Sequence, residues 1–118
     1  MTEHTVVIYG IKNCDTMKKA MRWLGDAGVS YRFHDYRKDG VDADRLAAWC
    51  TSLGWESLLN RRGTTWRNLD DALKQGVDEV RAIALMLQHP ALIRRPVLEA
   101  FACIEVGFSP DRYAALFS

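Results

Sequence analysis

The chain has 118 residues, 48% of them hydrophobic and 26% charged, which is the size and balance of one soluble domain able to bury its own core. Its 16 basic and 15 acidic residues leave a net charge of +1, so nucleic acid and anionic lipid exert no bulk electrostatic pull, and no apolar run is long enough to cross a bilayer. Three cysteines, at 14, 50 and 103, are odd in number and widely spaced, which argues for reduced thiols rather than a disulfide framework; no histidine stands near one in zinc-type spacing, so no metal is expected. The opening MTEHTVVIYG lacks a basic region followed by an apolar run and a cleavage site, and the reading is a cytoplasmic monomer that binds neither nucleic acid nor membrane.

Thr5 to Tyr9 is a β-branched and aromatic run stopped by Gly10, and its near-continuous apolar character suits a strand covered on both faces. Met17, Ala20, Met21 and Leu24 then recur at helical spacing, with Lys18, Lys19 and Arg22 on the other side and Gly28 as the stop. SYRFHDY alternates like a second strand, parallel to the first because a helix intervenes. Asp42 caps a helix with Leu46, Trp49, Cys50 and Leu53 on its apolar face, ending at Gly54. Short helical segments follow from Trp55 to Leu73, and a longer helix runs from Val77 to Gln88 with Val80, Ile83, Ala84 and Leu87 inward.

After Pro96, VLEA and CIEVGF read as an antiparallel hairpin, and Ser109 with Pro110 opens a last helix carrying Tyr113, Leu116 and Phe117 on one side. The order βαβα, a helical stretch over about 42–90, then ββα predicts an α/β protein with a mixed four-stranded sheet in a thioredoxin-like layout, one domain over 1–118.

Cys14 falls at the joint between the first strand and its helix. Backbone N–H groups in the first helical turn lack intrahelical partners, and the helix dipole adds positive charge there, so a thiolate is stabilised. Only the thiolate is a good nucleophile, and a cysteine at a helix start beside cations has the setting of a reactive thiol. Asn13 or Asp15 can cap the helix, and Lys12 and Lys18 stand close in sequence. A lone cysteine there also fits a small apolar filler, against which its polar neighbours count. Cys50, on an apolar helix face, reads as structural, as does Cys103, although the latter is also a candidate to resolve a mixed disulfide. Met17 stands three residues after Cys14, so no local Cys-x-x-Cys bridge forms and an outside thiol, glutathione, is the expected resolver.

Two arginine pairs, Arg61 with Arg62 in LLNRRGTTWR and Arg94 with Arg95 before Pro96, are either solvated surface or forked donors for an anion. Pro96 is a candidate for a cis bond.

The runs IYGIKNCDTMKKA, YRFHDYRKDG, LGWESLLNRRGTTWR, LMLQHPALIRRPVLE and GFSPDRY cover nearly the whole chain. In them the sequence resembles the ArsC-like family of arsenate reductases, Spx regulators and YffB-like proteins, the YffB branch above all. The resemblance implies a thioredoxin-like fold with a helical insertion, Cys14 as the reactive thiol and Pro96 as the family's cis-proline. Arg95 matches an arginine that holds the oxyanion in ArsC enzymes. Another such arginine falls near Asn60 to Arg62, with Asn60 in strict register, so Arg61 or Arg62 must substitute; the third is absent, with Gly107 or Phe108 where it would lie.

The resulting expectation is a glutathione-coupled thiol oxidoreductase without bound cofactor. Cys14 attacks an oxidised thiol or an oxyanion; Lys12, Asn13, Arg61, Arg62, Arg95 and Pro96 form the anion- and substrate-binding set; glutathione and glutaredoxin are the partners. Arsenate reduction is the alternative chemistry. A non-catalytic Spx-like regulator that docks on RNA polymerase, with Trp23, Trp55 and Trp66 as its surface, is the rival from another class. Met17 breaks the Cys-x-x-Cys switch that such regulators carry.

Overall fold

The computed structural model describes residues 6–117; Thr5, where the sequence reading opens the first strand, lies outside them. The chain divides into two compact units, Met1–Asp39 with Arg95–Ser118, and Gly40–Arg94.

The first unit is built on strands β1 (Val6–Gly10), β2 (Arg32–Asp35), β3 (Val97–Ala100) and β4 (Cys103–Val106) in the spatial order β2-β1-β3-β4. β1 pairs parallel with β2 and antiparallel with β3, and β3 pairs antiparallel with β4. With helices α1 (Asp15–Asp26) and α8 (Pro110–Leu116), this is the mixed sheet of a thioredoxin-like fold. Strand alternation sorts the side chains by face. Val6 and Ile8 of β1 and Leu98 and Ala100 of β3 join Met17, Ala20, Leu24 and Tyr113 in one buried cluster, closed at its edge by Trp23, Phe33, Phe108 and Phe117. Burying each large side chain there contributes about 1.5–3 kcal/mol, and this cluster holds α1 and α8 on the sheet.

Two sequence boundaries in this unit move. Tyr36 does not end β2 but opens the one-turn helix α2 (Tyr36–Asp39), because Asp35 Oδ1 accepts from the Arg37 N–H at 2.9 Å and Asp39 Oδ2 from the Asp35 N–H at 3.1 Å. β4 stops at Val106, since Gly107 takes φ 81°, and its N–H turns back to the Pro96 carbonyl at 2.8 Å. The two-residue turn of the expected hairpin holds Phe101 and Ala102 at φ 53° and 65°, the left-handed geometry that matches strand twist.

The second unit is helical: α3 (Ala43–Leu53), α4 (Trp55–Leu58), α5 (Thr64–Arg67), α6 (Asp71–Lys74), α7 (Glu79–Gln88) and a 3₁₀ turn at Pro90–Leu92. Asp42 caps α3 through the Asp44 N–H, and Asp78 caps α7 through the Arg81 N–H, so α7 begins two residues later than the apolar pattern suggests. Leu46, Trp49 and Cys50 are buried on α3, as their spacing predicts.

The α7 face is a correction. Ala82, Leu85 and Met86 are buried, whereas Val80 is 77% exposed and Leu87 38%. The run EVRAIALMLQ is apolar nearly all round, so spacing alone offers more than one stripe. Contacts with α3, α4 and the 3₁₀ turn select this one.

Candidate active site

β1 ends at Gly10, and the four residues that follow deliver Cys14 to the N-cap position of α1 in extended geometry. Ile11 is buried, Lys12 and Asn13 are exposed, and Asn13 takes φ 70°, a left-handed turn that asparagine tolerates better than most residues. Neither Asn13 nor Asp15 caps the helix. Cys14 is itself the cap residue, and α1 receives no side-chain cap bond. The first-turn amides are therefore left for the sulfur.

The consequence is electrostatic. Partial burial by itself pushes the Cys14 thiol up; the Met17 backbone N–H, the Arg95 side chain and the Thr16 backbone N–H outweigh it and hold the thiol below its ordinary value. The cation that acts is Arg95, joined to Pro96 by a cis peptide bond as the resemblance implies.

Met17, at the place where a resolving cysteine would stand, is fully buried. Its thioether lies where a Cβ on Gly10 would be, so Gly10 is the residue that lets the first turn of α1 settle on the end of β1. The position is packing, not chemistry.

The other two cysteines are free as well. Cys50 is buried in the second unit, where burial raises its pKa. Cys103 is exposed and pairs with Ala100, which in turn pairs with Val6 at the start of β1. Cys14 follows the other end of that strand, roughly 13 Å further on at ~3.3 Å per residue. A disulfide needs Cα atoms within about 7 Å, so Cys103 does not resolve Cys14 in this fold.

Arg61 and Arg62 belong to the second unit. There the Leu59–Ile93 bridge, with Asn60 N–H bonded to the Leu92 carbonyl at 2.7 Å and Arg94 N–H to the Leu58 carbonyl at 2.9 Å, sets the Asn60–Arg62 turn beside the segment leading to Arg94. Asn60 Oδ1 accepts from the Arg62 N–H at 3.1 Å, which makes Asn60 a turn former. The Arg61 guanidinium lies 5.5 Å from the Trp55 ring centre. Gly107, one of the two positions at which the resemblance would put a third arginine, donates its backbone N–H to the Pro96 carbonyl at 2.8 Å.

The opposite face of the first unit's sheet carries a polar aromatic group to which the sequence reading gives no role. Tyr9, buried, donates to Glu99 Oε1 at 2.7 Å, and His34 and Tyr36 lie 4.9 Å and 6.5 Å from its ring. Its sequence signal is the tyrosine and histidine on alternate positions at the strand ends. Alternation there marks a strand without saying that polar tips are brought together.

Trp23 is half-buried and packs edge-on against Tyr113 at 5.6 Å and against Phe117 at 5.9 Å, and Trp55 lies beneath Arg61, so two of the three tryptophans have partners within their own unit. Among the described residues no three His, Cys, Asp or Glu gather as a metal site, and no helix is long and apolar enough to cross a membrane.

The ArsC family pattern matches residues 9–116, and the chain belongs to that family. An uncharacterized protein of Haemophilus influenzae is 42% identical over 96% of this chain and 99% of its own. A solved structure named YffB protein is 54% identical with a TM-score of 0.94, covering 97% of this chain and 100% of that one. An arsenate reductase (ArsC) related protein from Brucella melitensis is 49% identical with a TM-score of 0.76, covering 100% and 98%. A global transcriptional regulator Spx of Streptococcus pyogenes is 25% identical over 96% of this chain and 85% of its own.

Proposed function

We propose that this arsenate-reductase-like protein is a glutathione-coupled thiol oxidoreductase with Cys14 as its single nucleophile. The observation that carries the reading is the Cys14 sulfur, met by two first-turn amides and the Arg95 guanidinium, with a buried methionine in place of a resolving thiol. The Cys14 thiolate attacks one sulfur of a mixed disulfide between a substrate thiol and glutathione. A bond forms between Cys14 and the glutathione sulfur, the substrate leaves as thiolate, and the new disulfide sits on Cys14. A second glutathione thiolate attacks the glutathione sulfur of that bond, releasing oxidised glutathione and restoring Cys14. Arg95 holds an anionic group of the substrate and favours the thiolate form at each stage.

Intact mass after exposure to a glutathione mixed disulfide tests the reading: one glutathione adduct on Cys14 is expected, cleared by reduced glutathione and absent in Cys14→Ser. Adducts on Cys103 alone would sink it.

Arsenate reduction is the second reading, favoured by family membership and by Arg95 beside the thiol. Arsenate-dependent NADPH consumption with glutathione, glutaredoxin and glutathione reductase decides it; a rate no greater than that of Cys14→Ser removes it.

A further inference from the structure

The ends of three strands meet at one edge of the sheet. Gly10 pairs with Asp35, so β1 and β2 finish side by side, and Tyr9 pairs with Val97, so β3 begins there. Cys14 follows β1, Tyr36 is the next residue after β2, and Arg95 stands two before β3. An open α/β sheet binds its ligands at such an edge. Tyr36 is 3% exposed, and its hydroxyl has no hydrogen-bond partner among the described residues. Leaving a buried hydroxyl unbonded is costly, and the group is a strong donor to whatever reaches it. Its ring packs beside the Tyr9–His34 pair, at 6.5 Å and 6.3 Å from the two rings, so the buried phenol is held by packing.

We infer that Tyr36 is a further binding residue, its hydroxyl donating a hydrogen bond to an anionic oxygen of the ligand that Arg95 and the α1 start hold at Cys14. The inference rests on the reading of Cys14 and Arg95 as an anion-binding site. Arg95 is the link: its side chain acts on the Cys14 thiol, and its charge also acts on the Tyr36 phenol. Burial drives the Tyr36 pKa far up, so the phenol keeps its proton at every physiological pH and serves as a donor throughout. The acceptor is an oxyanion or a carboxylate oxygen, which a neutral donor recognises in the same way.

The test is protection of Cys14 from iodoacetamide, read on the Cys14 peptide by mass spectrometry at constant ionic strength, with inorganic phosphate or S-methylglutathione as protecting probe. Tyr36→Phe removes one oxygen and keeps the ring. The expected result is that the half-protecting concentration of at least one probe rises about tenfold, with a melting temperature equal to or above wild type, because a buried hydroxyl without a protein partner has been removed. Weaker protection by phosphate identifies an oxyanion acceptor, and weaker protection by S-methylglutathione a carboxylate. Any other combination overturns the proposal; in particular, unchanged protection with a lowered melting temperature would mean that the hydroxyl serves the fold. If neither probe protects the wild-type protein, the anion-site reading falls as well, whereas failure confined to the variant removes only Tyr36.

Discussion

At the scale of single residues the chemistry is a competition around one sulfur. Burial opposes a thiolate at Cys14, and the Met17 and Thr16 amides with Arg95 reverse the balance. Replacing Arg95 by Ala removes the charged member while leaving the amides. The alkylation rate of Cys14 against pH will therefore shift to higher pH, by less in Arg95→Lys, which keeps a charge without the planar fork. The same asymmetry has a stability consequence. The folded-state pKa of Cys14 lies below that of the unfolded chain, so the thiolate stabilises the fold fully above the unfolded value, and this is lost as pH falls through the folded one. Urea unfolding of wild type and Cys14→Ser should diverge with rising pH, the wild type gaining, and converge once pH falls below the folded value.

At the scale of elements, the joint between β1 and α1 depends on a glycine with no side chain in the way. Gly10→Ala places a methyl on the Met17 thioether, and repacking in a filled core costs about 1–3 kcal/mol. A urea midpoint lowered accordingly, together with slower alkylation of Cys14, is the expected outcome; an unchanged midpoint would mean that Met17 swings aside freely. The corrected face of α7 gives a sharper contrast. Val80→Lys lands on a residue 77% exposed and should change stability by under about 0.5 kcal/mol, whereas Met86→Lys buries a charge and should unfold the second unit. Far-UV circular dichroism of the two variants reads the difference. Asp78→Ala, which leaves the α7 start without its cap bond, should cost about 1 kcal/mol in urea unfolding.

At the scale of the whole molecule, strand order sets which cysteines can cooperate. Cys14 follows one end of β1, Cys103 opens β4 level with the other end, and Cys50 is buried in the other unit. Mild peroxide followed by glutathione should give the same Cys14 adduct in wild type and in Cys103→Ser. An internal Cys14–Cys103 disulfide on intact-mass analysis would contradict the sheet register. The register has a second effect: it gathers Cys14, Tyr36 and Arg95 from segments far apart in sequence at one sheet edge, although no two of them share an element.

What the sequence by itself determined was everything that rests on local rules: the βα joint at Cys14, the capped helix after Asp42, the hairpin after Pro96 and the absence of a cysteine at position 17. These signals lie within a few residues of each other, where propensity, caps and spacing act. Tertiary structure alone decided the rest, because the rest depends on partners remote in sequence. It chose the buried stripe of α7 among several apolar ones. It made Cys14 its own helix cap and brought Arg95, 81 positions further along, to that sulfur. A hydrogen bond to a thiol and a buried hydroxyl without a partner are properties of packing, and no periodicity in a linear chain encodes them.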